Sequence, residues 1–167
     1  SESLKVSWVM IKVLFVCLGN ICRSPTAHGV FDSILKREGL ADKVLVDSAG
    51  TAAWHIGKAP DNRSQLAAKN RGVDLSYISA RQVEASDFDV FDYILAMDKS
   101  NLEHLIELSE PVNRNKIKLF LDFSENYSAT EVPDPYYGGA KGFDTVLDLV
   151  EDACEGLLKD IKLNNVM

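Results

Sequence analysis

Cys17 is followed six residues later by Arg23 and then by Ser24, in the run Val16-Cys17-Leu18-Gly19-Asn20-Ile21-Cys22-Arg23-Ser24-Pro25. These residue types at this spacing suit phosphoryl transfer through sulfur. A tight loop leading into a helix turns backbone N–H groups toward an anion, and the helix N-terminus adds positive potential. The same field favours thiolate over thiol at Cys17. A thiolate is the stronger nucleophile. The planar fork of Arg23 can clamp two equatorial phosphate oxygens and stabilise transition-state charge. The hydroxyl of Ser24 is in reach to donate to the sulfur, and Gly19 lets the backbone approach a ligand closely. A buried cysteine at a strand end beside an ion-paired arginine is the plainer reading. Placement between a buried strand and a helix favours the chemical one.

Cleavage of a phosphomonoester needs a proton on the leaving oxygen, supplied by a carboxyl held near the nucleophile. Asp134 is the candidate, in Pro133-Asp134-Pro135-Tyr136-Tyr137-Gly138-Gly139. The two prolines restrict the backbone around it, and the tyrosines can flank an aromatic substrate ring. The stretch around it, residues 121–140, has no periodic pattern. Loops of that length in compact domains are usually functional or disordered.

The elements that must position these groups alternate along the chain. Residues 11–16 form a nearly continuous apolar run, as expected for a parallel strand buried on both faces. Further strands are expected at residues 44–46, 91–97 and 116–121. Ala27, Val30, Phe31, Ile34 and Leu35 recur at helical spacing. Ser24 is expected to cap that helix, with Pro25 at its first position and Gly39 at its stop. Helices are expected at residues 61–71 and 101–108, and a long amphipathic one over residues 143–161. This alternation implies an α/β fold, a doubly wound sheet with helices on both faces. Residues 10–167 read as one domain and residues 1–9 as an N-terminal extension.

The net charge of −7 argues against nucleic acid as a partner, and no apolar run is long enough for a membrane span. Three cysteines make no disulfide framework and suit a reducing, cytoplasmic setting. Cys154 falls on the apolar face of the last helix and reads as core. His28, His55 and His104 lack metal-ligand spacing, so no metal or other cofactor is expected. Asp87, Asp89 and Asp92 read as a solvated acidic face or helix-start charge, and Asp98 as a bracing residue at a strand end.

Taken together, the Cys17 run and Asp134-Pro135-Tyr136-Tyr137 resemble the low-molecular-weight protein tyrosine phosphatase family. Asp47-Ser48-Ala49-Gly50-Thr51, Ala80-Arg81-Gln82 and Met97-Asp98-Lys99-Ser100-Asn101-Leu102 resemble family segments in the same order, and the likeness spans residues 11–158. The resemblance implies a four-stranded parallel sheet in flavodoxin-like order and a two-step mechanism through phosphocysteine. Cys17 would attack. Arg23 and the amides of Leu18, Gly19, Asn20, Ile21, Cys22 and Ser24 would hold the phosphoryl oxygens, and Asp134 would serve as acid and then base. Asn20 would brace the loop with help from Ser48, and Leu18, Trp54, Tyr136 and Tyr137 would wall the slot for the ring. Cys22 would form a reversible disulfide with Cys17 that guards against over-oxidation. Ile21 stands where related protein-arginine phosphatases tend to carry Thr, which points to phosphotyrosine. The implied partners are phosphotyrosine-containing proteins, with inorganic phosphate as product inhibitor.

There are two departures. His28 stands where many relatives have Glu, and Ser76-Tyr77-Ile78-Ser79 lacks the family's His before Ala80. An arsenate reductase on the same scaffold would need further resolving cysteines in mid-chain. None occurs between Cys22 and Cys154. A non-catalytic phosphate-binding module is the remaining alternative, but Cys17, Arg23 and Asp134 are all present.

Overall fold

A computed structural model describes residues 9–165. The expected extension over residues 1–9 lies outside the described residues, apart from the exposed Val9.

Four parallel strands form one sheet in the order β2-β1-β3-β4: β1 Ile11–Cys17, β2 Val44–Gly50, β3 Tyr93–Ala96 and β4 Ile117–Leu119. Alternate residues of the central strand β1 feed two separate cores, as the two-residue strand period requires. Val13, Phe15 and Cys17 face the core completed by α1 (Arg23–Arg37) and α5 (Ala140–Asn164). Leu14 and Val16 face the other, completed by α3 (Asp87–Val90) and α4 (Lys99–Leu108). Helices therefore cover both faces, as the alternation of apolar runs predicts. β1 lies between β2 and β3, so its carboxyl end opens at the switch point where such sheets bind ligands.

The boundaries differ from the sequence reading where side chains are recruited into the site. β2 runs on through Asp47, Ser48 and Ala49 to Gly50, because this polar segment pairs with the last residues of β1. α1 begins at Arg23 with Cys22 at its N-cap and no side-chain cap there. Ser24 and Pro25 thus lie inside the helix rather than at its start, and Ser24 is free to serve the sulfur instead. Glu38 ends the helix and Gly39 takes a φ of 70°, the left-handed stop that glycine permits. α2 (Asn62–Asn70) is capped by the Asp61 carboxylate, which accepts from Arg63 N. The Asp98 carboxylate caps α4 in the same way through Asn101 N. α5 buries one apolar face, and its Gly156 lies against the Phe123 carbonyl, where a Cβ would collide. No helix among the described residues is long and apolar enough to cross a membrane.

Candidate active site

The chain leaves β1 at Cys17 and reaches α1 at Arg23 through a loop whose carbonyls are turned outward and occupied. Thr51 N donates to Cys17 O, Ala52 N to Leu18 O and Asp61 N to Ile21 O, at 2.9, 2.9 and 2.8 Å. Amides opposite such carbonyls turn inward, the arrangement that an anion nest requires. One of them, Asn20 N, donates to Cys17 Sγ at 3.2 Å. Gly50 lies under this turn. A Cβ there would stand 2.8 Å from Leu18 O, so only glycine lets β2 approach so closely.

Asn20 has a φ of 57°, a left-handed conformation that asparagine tolerates better than most residues. Its side chain locks that bend. Nδ2 donates to Ser24 Oγ at 2.7 Å, and Oδ1 accepts from Arg81 N at 3.0 Å. An amide nitrogen can only donate, so the Ser24 oxygen is the acceptor there. Its proton can then go to Cys17 Sγ, 3.0 Å away, or to the Ala49 carbonyl at 3.5 Å, and the sulfur is the nearer. Arg81 is itself fixed by Asp47 at 3.1 Å and by Asp87 at 2.9 Å. Asp87 is buried and also accepts from Glu84 N, while Asp89 accepts from Asn113 and Asp92 from Lys12 N. Asp87 and Asp89 stand in the first turn of α3, the helix-start charge expected, and Asp89 and Asp92 stay exposed, so the solvated-face reading is corrected only at the buried Asp87.

Ser48 does not reach Asn20 by a hydrogen bond. Its hydroxyl meets His28 Nδ1 at 2.9 Å. On the other side of the ring, His28 Nε2 lies 3.5 Å from Asp32, which also accepts from the Tyr77 hydroxyl. Asn20 is braced instead through Ser24 Oγ and the main chain of Arg81.

Arg23 is buried to 4% exposure. Nη1 donates to Asp98 Oδ2 at 2.7 Å and to the Val132 carbonyl at 3.1 Å, and Nη2 lies 3.8 Å from Asp134 Oδ2. Burial works against its charge, but the Cys17 sulfur, Asp98 and Asp134 outweigh it and raise its pKa. Asp98 therefore braces as expected, with the guanidinium as a second partner that no sequence signal disclosed.

Cys17 and Arg23 share a pocket of about 250 Å³ with Asp134, whose Oδ1 accepts from Tyr136 N at 3.0 Å. Leu18, Gly19, Ile21 and Cys22 line it from the loop, and Trp54, Tyr136 and Tyr137 from outside. Asn20 and Ser24 lie behind the loop, buried, and do not line the pocket. Cys17 is 3% exposed, whereas Trp54 is 69% and Tyr137 91% exposed, so an apolar rim surrounds a buried sulfur. His55 also lines the pocket, its ring against Gly19. Nothing in its spacing marked it, apart from its place beside Trp54. A larger cleft of about 530 Å³ lies between α1 and α5. Its Arg37 and Arg71 are already paired with Glu155 and Asp148, and no cysteine lines it. The small pocket is where the chemistry gathers. Among the described residues no three His, Cys, Asp or Glu side chains cluster as metal ligands.

Comparison with known proteins agrees with this geometry. The sequence profile described as "Low molecular weight phosphotyrosine protein phosphatase" matches residues 12–166. The chain is 44% identical over 153 residues to the low molecular weight protein-tyrosine-phosphatase YfkJ of Bacillus subtilis, covering 92% of this chain and 97% of that one. It superposes on a crystal structure of a protein tyrosine phosphatase from Entamoeba histolytica with a TM-score of 0.90 at 44% identity, covering 92% and 98% of the two chains. A Drosophila arginine phosphatase shares the architecture at a TM-score of 0.85 and 34% identity, covering 93% and 100%.

The three cysteines are free and differ in environment. Burial pushes the Cys22 thiol up to about 12, against the lowering effect of Ser64. Burial likewise raises Cys154, packed wholly inside the α5 core. A raised pKa keeps Cys22 a neutral thiol at every pH well below 12. Cys17 alone carries an N–H donor and a hydroxyl donor on its sulfur. Iodoacetate at neutral pH is therefore expected to label Cys17 first, as peptide mapping would show. Labelling of Cys22 should appear only as the pH climbs toward 12. Equal labelling of both at neutral pH would contradict this ordering.

Proposed function

The chain belongs to the low molecular weight phosphotyrosine protein phosphatase family and is a phosphatase, and from that membership we propose that it hydrolyses phosphotyrosine in two steps through a phosphocysteine on Cys17. The observation that carries this reading is the meeting of Cys17, Arg23 and Asp134 in one pocket beneath aromatic rings. Cys17 attacks as the thiolate, in line with the departing phenol. The inward amides of the loop and the outer edge of the Arg23 guanidinium hold the three equatorial oxygens, where charge gathers in the transition state. Asp134 gives its proton to the phenol oxygen as the P–O bond breaks. Water then displaces the sulfur, losing its proton to Asp134, and inorganic phosphate leaves. The Ser24 hydroxyl, already directed at Sγ, stabilises the returning thiolate.

Depth and lining support an aryl phosphate. The sulfur lies low, and a ring long enough to reach it would pass between Trp54 and Tyr136. Ile21 lines the same pocket, an apolar neighbour suited to a phenyl ring rather than a guanidinium. Inorganic phosphate fits the same nest and acts as a competitive product inhibitor. With para-nitrophenyl phosphate, Cys17→Ser should have no turnover. Asp134→Ala should lose about 100- to 10,000-fold in kcat/KM, the usual contribution of a general acid. Retained turnover by Cys17→Ser would sink the mechanism.

Cys22 lines the pocket beside Cys17 and serves as a resolving thiol. Peroxide oxidises the Cys17 thiolate to a sulfenic acid. The Cys22 thiol then displaces water from it to form the disulfide. With peroxide raised until an unguarded sulfenic acid goes on to the irreversible sulfinic acid, a thiol reductant should restore wild-type activity but not that of Cys22→Ser. Full recovery of Cys22→Ser would remove Cys22 from this role.

A further inference from the structure

Asp134 sits in a segment without regular structure, and its side chain is 40% exposed, so packing alone does not fix it. Two attachments do, one on each side. Upstream, Val132 donates its N–H to Met97 O and gives its carbonyl to Arg23. Downstream, the Tyr136 carbonyl accepts from Arg63 Nη1 at 3.0 Å. Only Pro133, Asp134 and Pro135 lie between these two pins.

Arg63 is well placed to hold its pin. Nε and Nη2 form a fork on the Asp61 carboxylate, at 3.1 and 3.0 Å. The guanidinium carbon lies 5.2 Å from the Tyr136 ring centre and 4.8 Å from that of Phe143 on α5, both within cation–π range. Asp61, in turn, donates its main-chain N–H to Ile21 O in the phosphate loop. A continuous path therefore runs from that loop through Asp61, Arg63 and Tyr136 to Asp134, whose Oδ1 accepts from Tyr136 N.

We propose that Arg63 is a positioning residue for proton transfer: it holds the downstream end of the Asp134 segment at a set distance from the phosphate loop. This rests on the reading of Asp134 as the general acid. Arg63 points its donors at Asp61 and at a carbonyl, and it does not line the pocket. Its effect is therefore on the acid and not on phosphate binding.

The dependence of kcat/KM on leaving-group basicity separates these roles. A well-placed acid neutralises the departing oxygen and flattens that dependence, whereas a displaced acid restores it. The series runs from dinitrophenyl phosphate to phenyl phosphate, with wild type, Asp134→Ala, Arg63→Ala, Arg63→Gln and Arg63→Lys. Asp134→Ala should widen the gap between the two extremes by about 100-fold or more. Arg63→Ala and Arg63→Gln should widen it by about tenfold, as expected for a misplaced rather than absent acid. Arg63→Lys keeps the charge but loses the fork, and should behave like the alanine variant. An equal loss at every leaving group, no loss at all, or a wild-type slope for Arg63→Lys would overturn the proposal. So would failure of both Arg63→Ala and Arg63→Gln to give a wild-type thermal melt, which would make Arg63 a residue of the fold. A flat slope for Asp134→Ala would instead refute the reading of Asp134, whatever the Arg63 variants do.

Discussion

Arg23 carries a positive charge into a place that solvent scarcely reaches, and the site is built around that fact. An unpaired buried charge costs several kcal/mol. The fold answers with a carboxylate and a carbonyl drawn from far along the chain. Asp98 is 75 residues away and Val132 109 residues away, and both bond the same nitrogen. Each partner has a second duty. Asp98 caps α4, and Val132 is tied to the end of β3 through Met97. Satisfying one guanidinium thus fixes the phosphate loop, the start of a helix and the segment bearing Asp134 relative to one another.

The loop itself depends on close approach rather than on side-chain bulk. Gly50 lets the end of β2 lie directly beneath Leu18 and Gly19. The left-handed bend at Asn20 then turns the chain, and Ser24 and Arg81 hold the bend from either side. Outward carbonyls find donors in residues 51, 52 and 61, from outside the loop. The surroundings of Cys17 therefore draw on groups from β2, α1, the start of α2 and the Arg81 segment.

Much of this was legible because it is local or periodic. The apolar run of β1, the helical spacing after Pro25 and the amphipathic face of α5 each specify their element directly. Cys17, Arg23 and Asp134 were legible by residue type and spacing, helped by the family resemblance. The misreadings occur where a local rule meets a non-local demand. Ser24 has the residue type of a helix cap, yet its hydroxyl is spent on Cys17 and Asn20. Asp47, Ser48 and Ala49 look like a strand terminator, yet pairing with β1 extends the strand through them. Asp87 looks like surface charge until Arg81 is brought to it. Arg63 left no signal, and His55 and Arg81 left only a place beside Trp54 and in a family-like segment, because their partners are close only in the folded chain.

Passage of the phosphoryl group through the Cys17 sulfur is tested most directly by acid-quenching the enzyme during turnover of an aryl phosphate and mapping the phosphorylated peptide. The proposed mechanism predicts a stoichiometric phosphoenzyme, formed as fast as the first phenol is released and confined to the peptide that carries Cys17. A phosphoryl group on any other residue, or phenol and phosphate released together with no phosphoenzyme at any quench time, would contradict it.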